Sequence, residues 1–404
     1  MALHQQRETY SDNLLFQPIN DVADTPRLLS SPHQGGVVQQ LDALLHGALE
    51  CGASDIHVES AAESFRVRFR IDGRLQVVAQ PPLSVRDAMV SRIKVLARMD
   101  IAEKRLPQDG RLQLPHQGLT VDVRVSSLPT VHGEKMVLRL LNFHQERPTL
   151  AALGFEAEDE ALLLHALSRP HGMVLVTGPT GSGKTLSLYS CLEHINREDM
   201  NVSCVEDPCE IHLPGANQVS IQERAGLTFA TALRALLRQD PDVIMVGEIR
   251  DTETAEITIQ AAHTGHLILS TLHTNDAPST LERLRHMGVA PFQVASSVHL
   301  VIAQRLVRRL CVHCKQVSST RAPLQYQAVG CALCDQGYKG RIGIYQVMPI
   351  SATLQQLILQ GADALALHAQ AQQEGMRSLR EAGWRKVLQG VTSAQEVMAI
   401  TPDA

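Results

Sequence analysis

Gly178-Pro179-Thr180-Gly181-Ser182-Gly183-Lys184-Thr185 is the stretch with the clearest chemistry in this chain. It fits G-x-x-x-x-G-K-[ST], a loop that wraps phosphate. Its three glycines let the backbone bend so that N–H groups converge on phosphate oxygens. A helix starting at its end adds a partial positive charge. Lys184 would reach β- and γ-phosphates, and Thr185 would hold Mg²⁺. The motif lies between an apolar run, residues 173–177, and a helix-like run, residues 186–195. That strand–loop–helix setting separates it from a glycine-rich turn with a chance lysine.

Acids belong near the metal and the attacking water of such a site. Two apolar runs end in them: residues 201–205 lead into Glu206-Asp207-Pro208-Cys209-Glu210, and residues 242–247 lead into Glu248. The second resembles a Walker B strand, with glutamate where aspartate is more usual, and Glu248 would hold the Mg²⁺ shell. One of Glu206, Asp207 and Glu210 would orient or deprotonate water. His266 and His273 bracket another apolar run. They read either as structural hydrogen-bonding residues or as a sensor of the γ-phosphate. Arg234 and Arg238 share a helix face within 228–239, either as a solvated basic face or as cations near phosphate or a subunit contact. Cys311-x2-Cys314-x16-Cys331-x2-Cys334 has zinc-ribbon spacing, and four thiolates leave no open coordination position, so Zn²⁺ there would be structural.

The elements around these residues change character along the chain. The 404 residues are 44% hydrophobic and 20% charged, with a net charge of −5 and 3% aromatics. This composition suits two or three globular domains and disfavours nucleic acid as the main partner. No run of 18 apolar residues occurs and the first residues do not read as a signal peptide, so a cytosolic location is expected. Residues 1–36 are polar and read as a tail or linker. Residues 37–147 read as an α+β domain: helical spacing from Val37 to Ala48, strict alternation over residues 65–71, a turn at Asp72-Gly73, a return at 74–78, a helix over 85–99, then strands over 119–125 and 135–141 with a turn at His132-Gly133. Residues 148–154 read as a hinge. From residue 155 helices alternate with buried strands at 173–177, 201–205, 242–247 and 266–272, the pattern of a mostly parallel sheet with helices on both faces. This α/β domain extends to about 350 and contains the 311–334 cysteine motif. Residues 351–404 read as a helical subdomain.

Taken in order, these motifs resemble a known family. Ser54-Asp-Ile-His57, Arg66-Val-Arg-Phe-Arg-Ile-Asp-Gly73, Arg105-Leu-Pro-Gln-Asp-Gly-Arg111, the 178–185 loop, the 206–210 acids, residues 236–251 and residues 265–275 together resemble the secretion ATPases of type II secretion and type IV pilus assembly, over roughly residues 40–400. The resemblance implies a RecA-like P-loop NTPase domain behind a PAS-like N-terminal domain, using ATP and Mg²⁺. It implies that Glu210 polarises water, that Glu248 is the Walker B acid, and that His266 and His273 form the histidine box. It further implies that Arg124 and Arg139 reach toward the γ-phosphate and that Arg234 and Arg238 are functional arginines. The family is a homohexamer on the cytoplasmic face of the inner membrane. It acts through a polytopic inner-membrane platform protein on pilin or pseudopilin subunits, with no direct nucleic-acid binding expected. The tetracysteine motif points to extension-type rather than retraction-type members. A retraction or DNA-uptake motor is the alternative within the family. A zinc-ribbon nucleic-acid-binding protein with a regulatory nucleotide site is the alternative outside it.

Overall fold

A computed structural model describes residues 36–116, 118–141, 149–318 and 325–401. Residues 1–35 of the expected tail and 142–148, including the start of the expected hinge, lie outside the described residues. The chain divides into two compact units: Met1–Gln145 with Cys331–Gln336, and Glu146–Gly330 with Gly337–Ala404.

The first unit runs α1 (Val37–Glu50), β1 (Asp55–Ser60), β2 (Phe65–Ile71), β3 (Arg74–Ala79), α2 (Arg86–Leu96), β4 (Gln108–His116), β5 (Leu119–Thr130) and β6 (Gly133–Leu140). The strands form one antiparallel sheet in the order β3-β2-β1-β6-β5-β4. Phe65, Val67 and Phe69 are buried with Leu41, Leu44, Leu45, Ala48 and Leu49 of α1 and Met89, Val90 and Ile93 of α2. The period of two in β2 thus meets the 3.6 period of the helices in one core. Asp72 (φ 47°) and Gly73 (φ 86°) both take positive φ, as a two-residue hairpin turn requires. Strands β1 and β4 had no clear signature in the sequence. The β5–β6 turn is Val131–His132, one residue before the expected position, because Gly133 already pairs with Thr130.

The second unit begins with α3 (Leu150–Leu153) and α4 (Ala157–Leu167), so the described part of the expected hinge is a short helix closed by Gly154 in the left-handed region. It continues β7 (Gly172–Thr177), α5 (Lys184–Ile195), β8 (Val202–Glu206), β9 (Asn217–Ser220), α6 (Phe229–Leu236), β10 (Val243–Val246), α7 (Thr252–His263), β11 (Leu267–Leu272), α8 (Ala277–His286), α9 (Pro291–Ser297), β12 (Val298–Leu310), β13 (Gln316–Ser318), β14 (Gln325–Gln327), β15 (Tyr338–Pro349) and α10–α13 (Ala352–Leu359, Ala364–Gln373, Leu379–Leu388, Ala394–Ile400). The main sheet has the order β15-β12-β7-β11-β10-β8-β9. All neighbours are parallel except β15, which runs against β12.

Alternate residues of the central strands feed two cores. Met173, Leu175, Ile244 and Val246 join one cluster. Val174, Val176, Val243 and Met245 join another. Both faces are therefore covered, which explains near-continuous apolar strands. The expected C-terminal helical subdomain is less separate than its composition suggests. Leu354, Ile358, Leu367 and Ala371 of α10 and α11 belong to the first cluster.

Candidate functional site

Parallel strands deliver their carboxyl ends to one edge of the sheet, where open α/β sheets bind ligands. Thr177 of β7 pairs with Leu272 of β11 and Ala303 of β12, while Val246 of β10 pairs with Val205 of β8 and Ser270 of β11. The 178–185 loop, the 206–210 acids, Glu248, His273 and the residues after Ala303 thus emerge at the same edge.

The loop is built to receive an anion. Gly178, Gly181 and Gly183 have φ of 147°, 79° and 86°, a region costly for any side chain with a Cβ. No side chain caps α5, and no acid occupies its first turn, so its first backbone N–H groups have no side-chain acceptor. Ser182 Oγ is buried without a hydrogen-bond partner. Lys184 is buried, and its Nζ donates to the carbonyls of Gly178 (2.8 Å) and Pro179 (3.0 Å). Thr185 is exposed at the mouth of the loop. An orphaned hydroxyl, an uncapped helix and a buried ammonium held only by carbonyls fit a phosphate group. Gln304 of β12 braces the loop from below, donating to Ser182 O (2.8 Å) and accepting from Ser187 Oγ (2.8 Å).

Burial is the main reason the Lys184 ammonium falls to about 8; Glu248 opposes that shift and Arg305 adds to it. A bound anion favours the charged form and raises that value. Below about pH 8 the free lysine is already charged, so nucleotide affinity should be flat there. Above it, binding must take up a proton, and affinity should weaken by up to about tenfold per pH unit. Equilibrium titrations of Mg-ATP at pH 7, 8 and 9 check this; equal affinity at all three would exclude Lys184 as the titrating phosphate ligand.

Glu248 follows β10 and is held by two partners. Arg250 Nη2 donates to its Oε1 (2.5 Å), and His273 Nε2 lies 3.3 Å from its Oε2. Burial alone would raise this carboxyl, but the Arg250 hydrogen bond and charge, with His273, hold it below the ordinary glutamate range. Arg250 also lies 3.6 Å from Asp207, bridging the ends of β8 and β10. Thr177 Oγ1 accepts from Thr274 N (2.9 Å) and lies 2.7 Å from Thr274 Oγ1. The turn after His273 is thereby fastened to the residue that precedes the phosphate loop.

The three acids after β8 separate in space. Glu206 turns into the core, where it accepts a hydrogen bond from Tyr189 Oη (2.5 Å) and burial raises its carboxyl. Asp207, by contrast, is exposed and faces Arg250. Glu210 is half-buried.

Three candidates of the second unit, His266, Arg234 and Arg238, find their partners away from the loop. His266 precedes β11, beside Gly172 at the amino end of β7, and its Nδ1 lies 3.1 Å from Ala261 O. It stands at the opposite edge of the sheet and closes the end of α7. Arg234 pairs with Glu253 (2.7 Å) on an exposed surface, and Arg238 donates to Arg234 O (2.7 Å). In the first unit, Arg124 and Arg139 face each other across β5 and β6. Arg139 pairs with Asp55 (3.0 Å).

The sulfurs of Cys311, Cys314, Cys331 and Cys334 all lie within 4.8 Å of one another. Cys331 and Cys334 sulfurs are 3.6 Å apart, and Cys331 N donates to Cys334 Sγ (3.3 Å). A tetrahedral Zn–S₄ centre has sulfur–sulfur edges of about 3.8 Å, so this donor set fits structural zinc.

A family model described as type II/IV secretion system protein matches residues 31–399. The chain belongs to this secretion-system family. Within it, the chain is 51% identical over 385 residues to the type IV pilus assembly ATPase PilB of Acinetobacter baylyi, covering 91% of this chain and 66% of that protein. It is 44% identical over 405 residues to the type II secretion system ATPase E of Vibrio cholerae, covering 96% of this chain and 80% of that one. The Legionella pneumophila ATPase DotB shares the fold, with a TM-score of 0.70 at 21% identity, covering 92% of this chain and 98% of the other. The second unit is the RecA-like part of this family member. Sequence reasoning missed β12 and β15 because long stretches of both are buried on both faces and show little alternation there. Arg250 lies inside a quoted motif, but only folding shows that it reaches both Glu248 and Asp207.

Proposed function

We propose that this chain is an ATP hydrolase that drives assembly of pilin or pseudopilin fibres, in type IV pilus biogenesis or type II secretion. The observation that supports it best is the phosphate loop at one sheet edge with Glu248 beside it, in a chain half identical to a pilus assembly ATPase. Lys184 and the α5 N–H groups bind the β- and γ-phosphates. Thr185 and Glu248 would hold Mg²⁺ and its waters. The ion supplies charge neutralisation on the β- and γ-oxygens when bound. Glu210, four residues beyond the inward-turned Glu206, orients the attacking water. His273 fixes the Glu248 carboxylate. Arg124 and Arg139, with Arg234 and Arg238, spread positive charge over the γ-phosphoryl transition state in the assembled enzyme. His266 has no part in this scheme.

The working form is a homohexamer on the cytoplasmic side of the inner membrane, coupled through a polytopic platform protein to pilin or pseudopilin. Among the described residues no helix is long and apolar enough to cross a membrane, which is consistent with peripheral attachment. The cysteine quartet favours the extension reading over a retraction motor. Deleting the gene should leave cells without fibres. Fibres that persist but no longer retract would replace this reading with the retraction motor.

A further inference from the structure

Arg305 lies two residues beyond Ala303, the β12 residue that pairs with Thr177 at the entrance to the phosphate loop. Its Nη1 donates to Gln304 O (3.0 Å), and its Nη2 donates to Asn275 O (3.0 Å) and Oδ1 (3.3 Å). All three acceptors are uncharged. Among the described residues no carboxylate comes within ion-pair distance of this half-buried guanidinium. The acid whose charge acts on it is Asp276, whose Oδ1 accepts from Ser279 N (2.8 Å) as the cap of α8.

The same cation flanks Gly178. A Cβ on Gly178 would lie 3.2 Å from Arg305 Nη1 and 2.5 Å from Gln304 O, so only glycine lets the guanidinium and the loop approach this closely. Lys184 Nζ holds the carbonyl of that same glycine at 2.8 Å. Two cations therefore meet at one residue of an anion-binding loop, and Arg305 is close enough to disfavour the charged form of Lys184. Like charges in a half-buried setting repel, and desolvation adds to the cost. A staple between Asn275 and the Gln304 carbonyl needs only neutral donors, which a glutamine supplies without that cost. A permanent charge here is explained by a ligand that carries the opposite one.

We propose that Arg305 is a second phosphate-positioning cation of the nucleotide site, pinned by Asn275 and Gln304 so that its charge acts together with that of Lys184 on the bound polyphosphate. Asn275 and Thr274 are adjacent, so this anchor also ties the turn after His273 to the loop contents. The inference rests on the nucleotide reading of residues 178–185.

The test is equilibrium binding of Mg-ATP to the full chain at two salt concentrations, for the wild type, Arg305→Gln, Arg305→Lys and Lys184→Ala. Arg305→Gln should bind about tenfold more weakly and lose part of the salt dependence, since one charge leaves the site. Arg305→Lys should stay within about threefold of the wild type, because the charge is kept while the two-pronged hold on Asn275 is lost. Wild-type affinity in Arg305→Gln, with binding lost in Lys184→Ala, would overturn this inference and leave the nucleotide reading standing. Equal weakening in Arg305→Lys and Arg305→Gln, with unchanged salt dependence, would make the residue a staple rather than a charge. Should Arg305→Gln fail to fold, the lysine variant and its salt dependence decide. A wild-type chain that binds no Mg-ATP would remove both readings.

Discussion

Glu248→Gln should bind Mg-ATP with nearly wild-type affinity while its rate of phosphate release falls by about 10²-fold or more. The amide keeps the shape of the side chain and can still meet His273, but it no longer carries the charge that faces Arg250 and that, in the proposed site, would organise the waters of Mg²⁺. A 10²-fold loss corresponds to about 2.7 kcal/mol of transition-state stabilisation. That is the scale expected when one carboxylate stops organising a metal shell while the phosphate grip is untouched. Arg250 should then face an uncharged amide oxygen and keep its ion pair only with Asp207 at 3.6 Å. Rapid-quench phosphate release, set beside nucleotide titration, separates the two effects. Arg139→Ala measured in the same assay should show the same split for a different reason, since the proposed role of its guanidinium is to stabilise transition-state charge. A Glu248→Gln protein that turns over normally would dismiss this carboxylate as the metal-organising acid.

Zinc removal has the second large effect. The purified chain should carry close to one zinc per subunit. Cys331→Ser with Cys334→Ser should abolish that and lower the thermal midpoint by roughly 6–12 °C, as a loss of about 3 kcal/mol would for a domain of this size. The physical ground is the quartet itself: four sulfurs within 4.8 Å of each other, with the Cys331 backbone N–H donating to Cys334 Sγ. Without an ion, that arrangement would press four thiols together with no disulfide among them. Elemental analysis and a thermal melt check the point. Metal-free protein with an unchanged midpoint would leave the quartet without a structural role.

Much of the site was legible because its chemistry is local. The 178–185 loop carries its glycines, lysine and threonine in one stretch, and its strand and helix adjoin it. Zinc-ribbon spacing is equally self-contained. Glu248 was legible because a carboxylate after a buried strand has a fixed place in a parallel sheet. The same rule applied to His266 would have put it at the wrong edge, since it precedes β11 instead of following it. The residues that sequence reasoning missed depend on register between distant strands. Arg305 reaches the loop only because Ala303 lines up with Thr177. Arg250 matters only because β8 and β10 end side by side. Glu206 looked equivalent to Glu210 until Tyr189, on the helix after the phosphate loop, drew it inward. Strands β12 and β15 escaped notice because a strand covered on both faces has no alternation and reads like any other apolar run.

The central claim is that the bend at residues 178–185 grips a nucleoside triphosphate through Lys184 and that the chain then cleaves it. The most direct test is steady-state phosphate release from Mg-ATP by the purified full chain beside Lys184→Ala. Lys184 Nζ holds two loop carbonyls, so the variant's thermal midpoint is recorded as well. The account predicts Mg²⁺-dependent release by the wild type and a loss of at least about 10²-fold, with weakened nucleotide binding, in a variant that remains folded. Equal release by the two proteins would contradict it.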